Sequence, residues 1–299
     1  MRIAVTGGNG DLGRTLVPFW LESGHEVVSI DRALPPPPQE RPQHMAHHLV
    51  GDTRDFGQVV GCLSGCDAVV HLAAHRSPRH APEFQVYVEN TAGSYHVLSA
   101  AAALGIRKVC LASSINAIGG AFSHAPRYDY FPLDEQHPTY AEDSYSLSKW
   151  VLEQQADAIV RTNPQMTVAS LRFHGLVHDT SRIREWNDRL GAGAVRHLWG
   201  YTAMHAAARA CLLSLLAEYH GHEVFYIVAP QHAATEDSRV LAQQYYPQAT
   251  LHAGFAGLQG FFDCSKAARL LAWEHEGGKS PLSSRTRSGL ATVISSWSR

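Results

Sequence analysis

Residues 2–13 read RIAVTGGNGDLG, a stretch in which a short β-branched run leads into spaced glycines and then into a helical run. In such a turn Gly7 permits the tight bend, Gly10 lets the backbone approach a pyrophosphate, and Gly13 lets the helix pack closely on the strand. The start of the helix then presents unpaired N–H groups and a partial positive charge to phosphates. The stretch predicts a dinucleotide-binding turn, because the glycines stand between a strand and a helix; a turn without a ligand is the alternative.

The rest of the chain repeats the strand-then-helix order of this first unit. Seven short runs are apolar almost throughout, as expected of parallel strands covered on both faces, and they lie at 2–6, 26–30, 46–50, 68–72, 108–112, 167–171 and 224–228. Helical patterns separate them at 12–23, 56–63, 83–104, 144–161 and 203–219. This alternation predicts an α/β fold: a doubly wound parallel (Rossmann) sheet of about seven strands with a small C-terminal substrate-binding part.

The chain divides accordingly. Residues 1–172 are predicted to form the dinucleotide-binding Rossmann domain, to which 201–230 return, and residues 173–200 and 231–279 to form the small substrate-binding part. Two loops are expected, one at the proline run 35–38 and one at 121–142, which would roof the pocket. Residues 280–299 are rich in Ser and Arg without clear periodicity and predict a flexible tail.

The composition narrows the functional classes. A net charge of −2 with dispersed basic residues indicates no nucleic-acid or membrane surface, and no apolar run approaches the roughly 18 residues of a membrane helix. The 19 histidines are scattered without the spacing of metal ligands, so we expect no metal site. The N-terminal strand is expected to leave no room for a targeting segment. An odd number of cysteines favours a reducing cytoplasm; they are Cys62, Cys66, Cys110, Cys211 and Cys264.

Residues at the ends of further strands extend the predicted cofactor site. Asp31 closes the second strand 18 residues after Gly13, where a carboxylate accepts from both ribose hydroxyls and repels a 2′-phosphate. This favours NAD over NADP, although Arg32 follows at once and would weaken the preference; the alternative for Asp31 is an ordinary turn residue. Asp52 ends the third strand, at the expected adenine edge. The small residues of 71–74 would let the cofactor lie across the sheet edge.

The stretch Tyr145-Ser-Leu-Ser-Lys149 carries the predicted chemistry. A tyrosine and a lysine four residues apart on a helix lie on one face, and a nearby ammonium stabilises phenolate over phenol. We therefore expect the pKa of Tyr145 to fall from about 10 toward neutrality, which suits a base that takes a proton from an alcohol. Ser114 ends the fifth strand and is expected to hold that alcohol. The spacing alone is common on amphipathic helices, and the glycine turn and Asp31 are what favour the catalytic interpretation.

As a set, these residues resemble the extended short-chain dehydrogenase/reductases of the NAD-dependent epimerase/dehydratase family. The resemblance covers roughly residues 1–275 and rests on TGGNGDLG (6–13), HLAA (71–74), VENTAGS (88–94), ASSINAIG (112–119), YSLSK (145–149) and LRF (171–173). It implies NAD as cofactor, Ser114, Tyr145 and Lys149 as the catalytic residues, and Asn90 as a residue that shapes the site. The expected cofactor-binding residues are Gly7, Asn9, Gly10, Asp11, Leu12, Gly13, Asp31, Arg32, Asp52, Thr53, Leu72, Ala73, Ala74, Asn90, Ser113, Tyr145, Lys149, Phe173 and His174.

The segment after the sixth strand departs from the family pattern. Epimerases acting on nucleotide sugars have a long segment here that holds the nucleotide, whereas Tyr201 follows Arg172 by only 29 residues and the later Tyr-Val-x-x-x-Asp stretch lacks its acid. The shortened layout is similar to that of uronate dehydrogenases, which oxidise a free sugar acid. Arg172 would clamp a carboxylate in two-pronged geometry or, equally, support the fold in an ion pair. The predicted substrate contacts are Arg76, Ser114, Asn116, Arg172 and His174.

We therefore expect an NAD-dependent oxidoreductase that oxidises a secondary hydroxyl of a sugar or sugar-acid-like substrate, with Tyr145 as general base. A nucleotide-sugar 4-epimerase of the UDP-hexose type with tightly bound NAD is the alternative. A non-catalytic dinucleotide-binding sensor is less favoured because the Tyr/Lys pair is kept, and a dehydratase is disfavoured because Ile115-Asn116 does not supply its acid/base pair. The resemblance implies a homodimer in which the long helices at 83–104 and 144–161 pair with those of a second copy; the alternative is that their apolar faces belong to the core.

Overall fold

The computed structural model describes residues 1–37 and 44–275, and its central layer is a parallel sheet of seven strands. The strands are β1 (Arg2–Thr6), β2 (Glu26–Asp31), β3 (His47–Val50), β4 (Ala68–His71), β5 (Lys108–Ser114), β6 (Thr167–Phe173) and β7 (Gly221–Ile227). Their spatial order is β7-β6-β5-β4-β1-β2-β3, so the winding direction reverses between β1 and β4. The predicted doubly wound Rossmann sheet is confirmed, and a crevice is expected where the order reverses.

Helices cover both faces of the sheet. Their bounds are α1 (Asp11–Glu22), α2 (Phe56–Leu63), α3 (Glu83–Ala103), α4 (Ser144–Thr162), α5 (Ile183–Leu190), α6 (Gly193–Arg196), α7 (Met204–Leu216), α8 (Ser238–Tyr245) and α9 (Ser265–Leu271). One apolar cluster joins α1, α7 and α9 to one face of the sheet. A second cluster joins α2, α3 and α4 to the other face. Because both faces are covered, the strands are apolar throughout rather than alternating, which is why their sequence signal is strong.

The predicted strands and the five predicted helices agree with the structure within about three residues at each end. β5 and β6 run past their apolar segments as far as Ser114 and Phe173, because the two strands stay in register there, with Ser114 opposite Phe173. β7 starts earlier than predicted because Gly221 already pairs with Thr167 of β6. The two extensions at the carboxyl ends bring polar and aromatic side chains to the edge where the crevice lies.

A third apolar cluster builds most of the C-terminal part of the chain, and its large side chains include Phe131, Trp199, Tyr246 and Phe261. The predicted loop 121–142 joins this cluster and is irregular except for the two-residue strand Tyr130–Phe131, which pairs with Thr250–Leu251. A second two-residue pair joins Leu176–Val177 to Thr202–Ala203, and Ile115–Ile118 and Thr180–Arg182 are 3-10 turns.

The last described segment returns to the sheet layer. The indole of Trp273, which follows α9, donates from Nε1 to the Ala206 carbonyl of α7 at 2.9 Å and is buried. Residues 265–273 therefore pack on the Rossmann core, although the sequence division placed them in the small substrate-binding part.

Three further expectations concerned the proline loop and the tail, membrane-spanning helices, and metal sites. Residues 35–37 have no regular structure, while residue 38 and the predicted tail 280–299 lie outside the described residues. Among residues 1–37 and 44–275, we find no helix with the length and apolar character needed to cross a membrane. The same residues contain no group of three or more His, Cys, Asp or Glu side chains arranged to hold a metal ion.

Candidate active site

Two adjoining cavities lie along the carboxyl edge of the sheet. The first, of about 400 Å³, is lined by Ser114, Tyr145 and Lys149 and is called the inner cavity. The second, of about 370 Å³, is lined by Asp31 and Asp52 and is called the outer cavity. Residues from the glycine turn and from the end of β4 line both, namely Gly7, Gly10, Asp11, Leu72, Ala74, His75 and Arg76. The two cavities thus form one crevice at the point where the strand order reverses, as expected of this sheet type.

The glycine turn leaves no room for side chains at its floor. Gly7 has φ +73°, and a Cβ there would lie 2.7 Å from the Ala73 backbone nitrogen. A Cβ on Gly13 would lie 2.5 Å from the Gly8 carbonyl oxygen, so α1 approaches the turn as closely as glycine allows. The Gly10 amide donates to the Gly7 carbonyl at 3.0 Å and closes the turn. These contacts fit the turn to a pyrophosphate, which needs bare backbone beside a helix N-terminus.

The outer cavity holds a carboxylate in fixed orientation. Asp31 ends β2, and its Oδ2 accepts from the Asn9 amide at 2.9 Å while its Oδ1 accepts from the Arg32 amide at 2.8 Å. The remaining lone pairs of both oxygens are free to accept from a vicinal diol such as a ribose. Asp52 also lines this cavity, but its carboxylate is bound by Arg54, whose hydrogen bonds lower the pKa of Asp52. Asp52 therefore presents to the adenine edge an ionised carboxylate whose charge is balanced by Arg54.

Asn90 fastens the loop that follows β4. Its Oδ1 accepts from the His75 amide at 2.8 Å, and its Nδ2 donates to the His75 carbonyl and to the Ser148 hydroxyl at 3.1 and 3.0 Å. The side chain therefore ties the β4 loop to α3 and α4 and sets the shape of the crevice. All residues predicted to bind the cofactor line the inner or the outer cavity; their binding role remains a prediction.

Ser114 and Tyr145 both line the inner cavity, because the carboxyl end of β5 lies beside the N-terminus of α4. Asp143 caps α4 by accepting from the Tyr145 and Ser146 amides at 3.0 and 2.9 Å, which fixes the first turn of the helix. The Ser114 Oγ accepts from the backbone amide of Asn116 at 3.2 Å, so its own proton stays available to a ligand. The Phe122 ring packs edge-on against Tyr145 with the centroids 5.6 Å apart. Side chains of β5, α4 and the roof loop thus converge on one volume.

The charge environment of Tyr145 differs from the sequence expectation. Burial raises the pKa of Tyr145 above its usual value of 10, and a smaller lowering effect comes from the adjacent Ser114 hydroxyl. Lys149 lies 5.8 Å from the Tyr145 ring centroid and directs its Nζ to the Ala112 carbonyl at 2.7 Å. The expected fall of the phenol pKa is therefore absent in the protein without cofactor, because desolvation outweighs the distant ammonium.

Burial also disfavours the charged form of Lys149. Burial lowers its pKa from 10.5 to about 8, and the charge of Glu153 opposes that fall only in part. Tyr145, Lys149 and Glu153 follow each other at four-residue spacing and share one face of α4. The first two line the inner cavity, whereas Glu153 lies behind it and is 2% exposed.

The structure contradicts the substrate-clamp role of Arg172. Its Nε and Nη2 donate to the two carboxylate oxygens of Glu153 at 2.9 and 2.8 Å, and its Nη1 donates to the Tyr226 hydroxyl at 3.2 Å. Arg172 is 5% exposed and lines neither cavity, so the guanidinium forms the fold-supporting ion pair that was the alternative. Ser113 donates to the same carboxylate at 2.6 Å, so its hydroxyl is also occupied although it borders the inner cavity.

His174 lines the inner cavity but has no free ring nitrogen. Its Nδ1 accepts from the Gly175 amide at 2.6 Å, so Nε2 carries the proton and donates to the His197 carbonyl at 2.8 Å. Burial lowers its pKa to about 3, which keeps the ring neutral. His174 therefore borders the inner cavity with its ring surface, and its predicted contact with the substrate stays a prediction.

Two other predicted substrate contacts do reach the inner cavity. The amide side chain of Asn116 accepts from the Ala121 amide at 2.9 Å and donates to the Ser114 Oγ at 3.3 Å, so it orients the serine and the roof loop together. Arg76 is exposed, and its Nη1 forms an ion pair with Asp11 Oδ2 at 2.5 Å across the crevice. Sequence reasoning missed several lining residues, because they stand in loops without a fixed motif; these are His75, Ser77, His80, Ile115, Phe122, Gly175, Leu176 and His197.

Comparison with known protein families identifies the same region of the chain. The sequence model of the NAD dependent epimerase/dehydratase family matches residues 3–177, which include the glycine turn, Ser114, Tyr145 and Lys149. Among curated relatives, dTDP-6-deoxy-L-talose 4-dehydrogenase (NAD(+)) of Aggregatibacter actinomycetemcomitans is 27% identical over 191 residues, covering 60% of this chain and 63% of the relative. A putative UDP-glucose 4-epimerase of Methanocaldococcus jannaschii is 31% identical over 156 residues, covering 51% of this chain and 48% of the relative. The chain spans about half the length of the curated relatives that it matches.

Solved structures share the fold over nearly the whole chain. The UDP-glucose 4-epimerase of Thermotoga maritima with UDP-glucose superposes with a TM-score of 0.69 at 19% identity, covering 92% of this chain and 94% of that chain. A mutated uronate dehydrogenase superposes with a TM-score of 0.60 at 21% identity, covering 94% and 88%. At these identities the likeness establishes the architecture.

Proposed function

The chain belongs to the NAD-dependent epimerase/dehydratase family, which makes NAD its cofactor, and on that premise we propose that it oxidises a secondary hydroxyl of a free sugar or sugar acid. The observation that carries the proposal is the meeting of Ser114, Tyr145 and Lys149 with the glycine turn in one cavity of about 400 Å³. The relatives include an L-arabinose 1-dehydrogenase, a dTDP-sugar dehydrogenase and a putative UDP-glucose 4-epimerase, so the choice between these activities depends on the site itself.

Each catalytic residue has a separate task in the proposed reaction. Bound NAD supplies the hydride acceptor, beside which the substrate alcohol must lie. The Ser114 hydroxyl holds the alcohol oxygen, and Tyr145 takes its proton as the carbinol C–H bond breaks. Both donors then stabilise the negative charge that develops on the oxygen, in a site that excludes most water. Lys149 places positive charge 5.8 Å from the phenol ring, and its effect grows as a ligand excludes water from the crevice.

The size and charge of the inner cavity favour a small, uncharged or anionic substrate. Its volume must accommodate the reactive end of the cofactor together with the substrate, which leaves little space for a nucleoside diphosphate. In the described part of the chain, Asp11 is the only acidic residue of this lining, and its carboxylate is paired with Arg76. Histidines are more numerous there, namely His75, His80, His174 and His197. A carboxylate-bearing sugar would therefore meet little repulsion at this wall.

A 4-epimerase acting on a UDP-hexose with tightly bound NAD is the second candidate. Curated relatives of that name support it, including the one that is 31% identical over 156 residues. Its weakness is the short segment between Arg172 and Tyr201, which leaves little wall for a nucleotide. A UDP moiety would have to lie outside the inner cavity.

The test is a panel of free pentoses, hexoses and uronates, each incubated with protein and NAD while NADH absorbance is followed. We expect NADH to form with at least one of them, and Tyr145→Phe to remove the signal while NADH binding is kept. UDP-hexoses are incubated in parallel, and their products are separated by chromatography. Epimer formation without net NADH would replace the proposal with the second candidate. Neither activity, in a protein that binds NAD, would refute the oxidoreductase assignment.

We also propose that the protein is a cytoplasmic homodimer. The outer face of α3 exposes Phe84, Val88 and Tyr95 by 74%, 55% and 53%, and Leu147 of the neighbouring α4 is 37% exposed. Pairing of these helices with a second copy would cover the four side chains. Light scattering should give twice the chain mass, and Phe84→Glu should halve it, whereas Val240→Glu on α8 should not. A monomeric wild type at all concentrations contradicts the dimer. The cytoplasmic location is supported by five cysteines that all lie among the described residues and form no disulfide.

A further inference from the structure

Among the described residues that line the inner cavity after Phe173, His197 alone has a side chain with unpaired polar atoms. Among the described residues, no side chain or backbone group forms a hydrogen bond with either ring nitrogen of His197. The neighbouring His174 has both nitrogens occupied, with its ring centroid 5.7 Å from that of His197. Further along the wall, His75 is bound to Glu89 and His80 accepts from the Arg76 amide. His197 thus differs from the other histidines of the wall in keeping its complete hydrogen-bonding capacity for a ligand.

The backbone that follows His197 is strained. Leu198 and Trp199 both have φ +49°, the left-handed region that large L side chains rarely adopt. Such residues are strained and persist only where surrounding contacts impose their conformation. Both side chains are buried in the third cluster, where the Trp199 ring lies 5.6 Å from Phe261. The burial of these two side chains therefore offsets the strain of an unusual turn at this point of the cavity wall.

Hydrogen bonds fix the same turn from the other side. The His197 carbonyl accepts from His174 Nε2 at 2.8 Å and from the Gly200 amide at 3.1 Å. The Trp199 carbonyl accepts from the Ala233 amide at 2.8 Å, which ties the turn to the C-terminal part. Two consecutive left-handed residues, two backbone hydrogen bonds and the hydrogen bond from the His174 side chain together hold the position of the His197 ring. Strain kept at a cavity wall is typical of a functional position.

We infer that His197 selects the substrate by hydrogen bonding to a hydroxyl group other than the one that is oxidised, which makes a polyhydroxy compound the substrate class. The inference rests on the proposed function. A neutral imidazole offers one donor and one acceptor, and a hydroxyl group can satisfy either nitrogen. Burial lowers the pKa of His197 below its usual 6.5, so the ring is neutral at pH 7 and suits a hydroxyl better than a carboxylate. His197 is a specificity-determining residue in this scheme, and the proton transfer remains with Tyr145.

The test compares wild type with His197→Leu in steady-state kinetics on each sugar that is turned over, and on the monodeoxy analogues of that sugar. We expect the KM for the sugar to rise about tenfold in His197→Leu, with kcat within about twofold and the KM for NAD unchanged. One deoxy analogue should lose about tenfold in kcat/KM on wild type and nothing further on the variant. His197→Asn, which keeps a donor and an acceptor, should recover part of the loss.

The matched control is His178→Leu, because His178 is an exposed histidine that lines neither cavity. Its kinetics should equal those of wild type. Thermal unfolding and NADH binding establish that each variant is folded. Should His197→Leu not fold, His197→Asn and the deoxy series on wild type carry the test. An unchanged KM in a folded His197→Leu, or equal losses for every deoxy analogue on both proteins, overturns the inference.

Failure of the proposed function gives a different result. If wild type reduces no NAD with any sugar, calorimetric binding of the same sugars to the NADH-loaded protein decides the role of His197. Weaker binding to His197→Leu than to wild type supports the inference without turnover. Equal binding, or no binding of any sugar, overturns it.

Discussion

Replacing Lys149 with Met should stabilise the folded protein at neutral pH while it removes turnover. Burial lowers the pKa of Lys149 from 10.5 to about 8 in the folded state. At roughly 1.4 kcal/mol per pKa unit, holding the proton in the folded state costs about 3 kcal/mol below pH 8. Met also removes the hydrogen bond from Nζ to the Ala112 carbonyl, which is worth about 1 kcal/mol. The expected net gain in free energy of unfolding is therefore about 2 kcal/mol at pH 7.

The pH dependence gives the sharper test, because the sign follows from proton binding. Between pH 10.5 and about 8 the unfolded chain binds a proton that the folded chain does not hold, so stability falls as the pH falls through this window. Below the folded-state pKa the cost is constant, and above 10.5 it vanishes. The advantage of Lys149→Met over wild type should thus shrink by about 2 kcal/mol between pH 7 and pH 9.5.

Urea unfolding of the cofactor-free protein, followed by tryptophan fluorescence at several pH values, measures this difference. Lys108→Met is the matched control, because Lys108 Nζ also donates to a carbonyl, that of Ala217 at 2.9 Å, but its side chain is 24% exposed. We expect the control to lose stability by a similar small amount at every pH. If the difference between Lys149→Met and wild type stays constant from pH 7 to pH 9.5, Lys149 is not a desolvated ammonium, and the electrostatic account of the site is refuted.

Four further predictions follow from the site. Asp31→Ala should weaken NAD binding and reduce discrimination against NADP in fluorescence titrations; an unchanged preference would remove the ribose role. Ser114→Ala should lower kcat by about 10²–10³-fold with unchanged NADH affinity, and a normal rate would exclude it from the mechanism. Arg172→Met should lower the free energy of unfolding by about 3–5 kcal/mol by leaving Glu153 unpaired, whereas wild-type stability would contradict the ion-pair role. Because the pKa of Tyr145 is raised, oxidation should speed up as the pH rises above neutrality, and a flat profile in kcat/KM would contradict a phenolate base.

The sheet was predictable because strands buried on both faces carry a continuous apolar signal. Helices α1–α4 and α7 were predictable for a related reason, since each stands between two such strands and is long enough to show its period. The helices α5, α6 and α8 are too short to show a helical period. They have eight residues or fewer, and their positions depend on the third aromatic cluster, whose members are scattered between Ile115 and Phe262. Tertiary packing rather than local pattern decides such elements.

The motif residues of the site were predictable because the backbone geometry at the ends of the strands permits few residue types. Glycine is required at positions 7 and 13 because a Cβ there would lie within 3.0 Å of backbone atoms, and Asp31 is recognisable because it ends β2. His197 carries no such signal, because its position comes from the strained residues Leu198 and Trp199, which no local rule anticipates. The roof residue Phe122 likewise reaches Tyr145 through an irregular loop.

The substrate role predicted for Arg172 fails because of the register of the sheet. Ser113 and Arg172 are direct neighbours in the register of β5 and β6, and both bind Glu153 of α4. That register is set by the folded sheet. The sequence therefore could not show that the Glu153 carboxylate, one turn beyond Lys149, accepts hydrogen bonds from Arg172. Had Arg172 faced the substrate, the charge of Glu153 would have been left to support the Lys149 ammonium.

Because Glu153 is neutralised in this way, its attraction for Lys149 is too weak to offset burial, and the pKa of Lys149 falls to about 8. A lysine so weakly held in its charged form, and 5.8 Å from the ring of Tyr145, does little to ionise the phenol before a ligand is bound. The buried ion pair behind the crevice therefore explains why Arg172 is not a substrate clamp, whereas burial of the phenol itself keeps Tyr145 protonated at rest. Further loss of water would by itself raise the pKa of the phenol and lower that of Lys149, so activation of the base requires new polar or charged contacts when the crevice is filled.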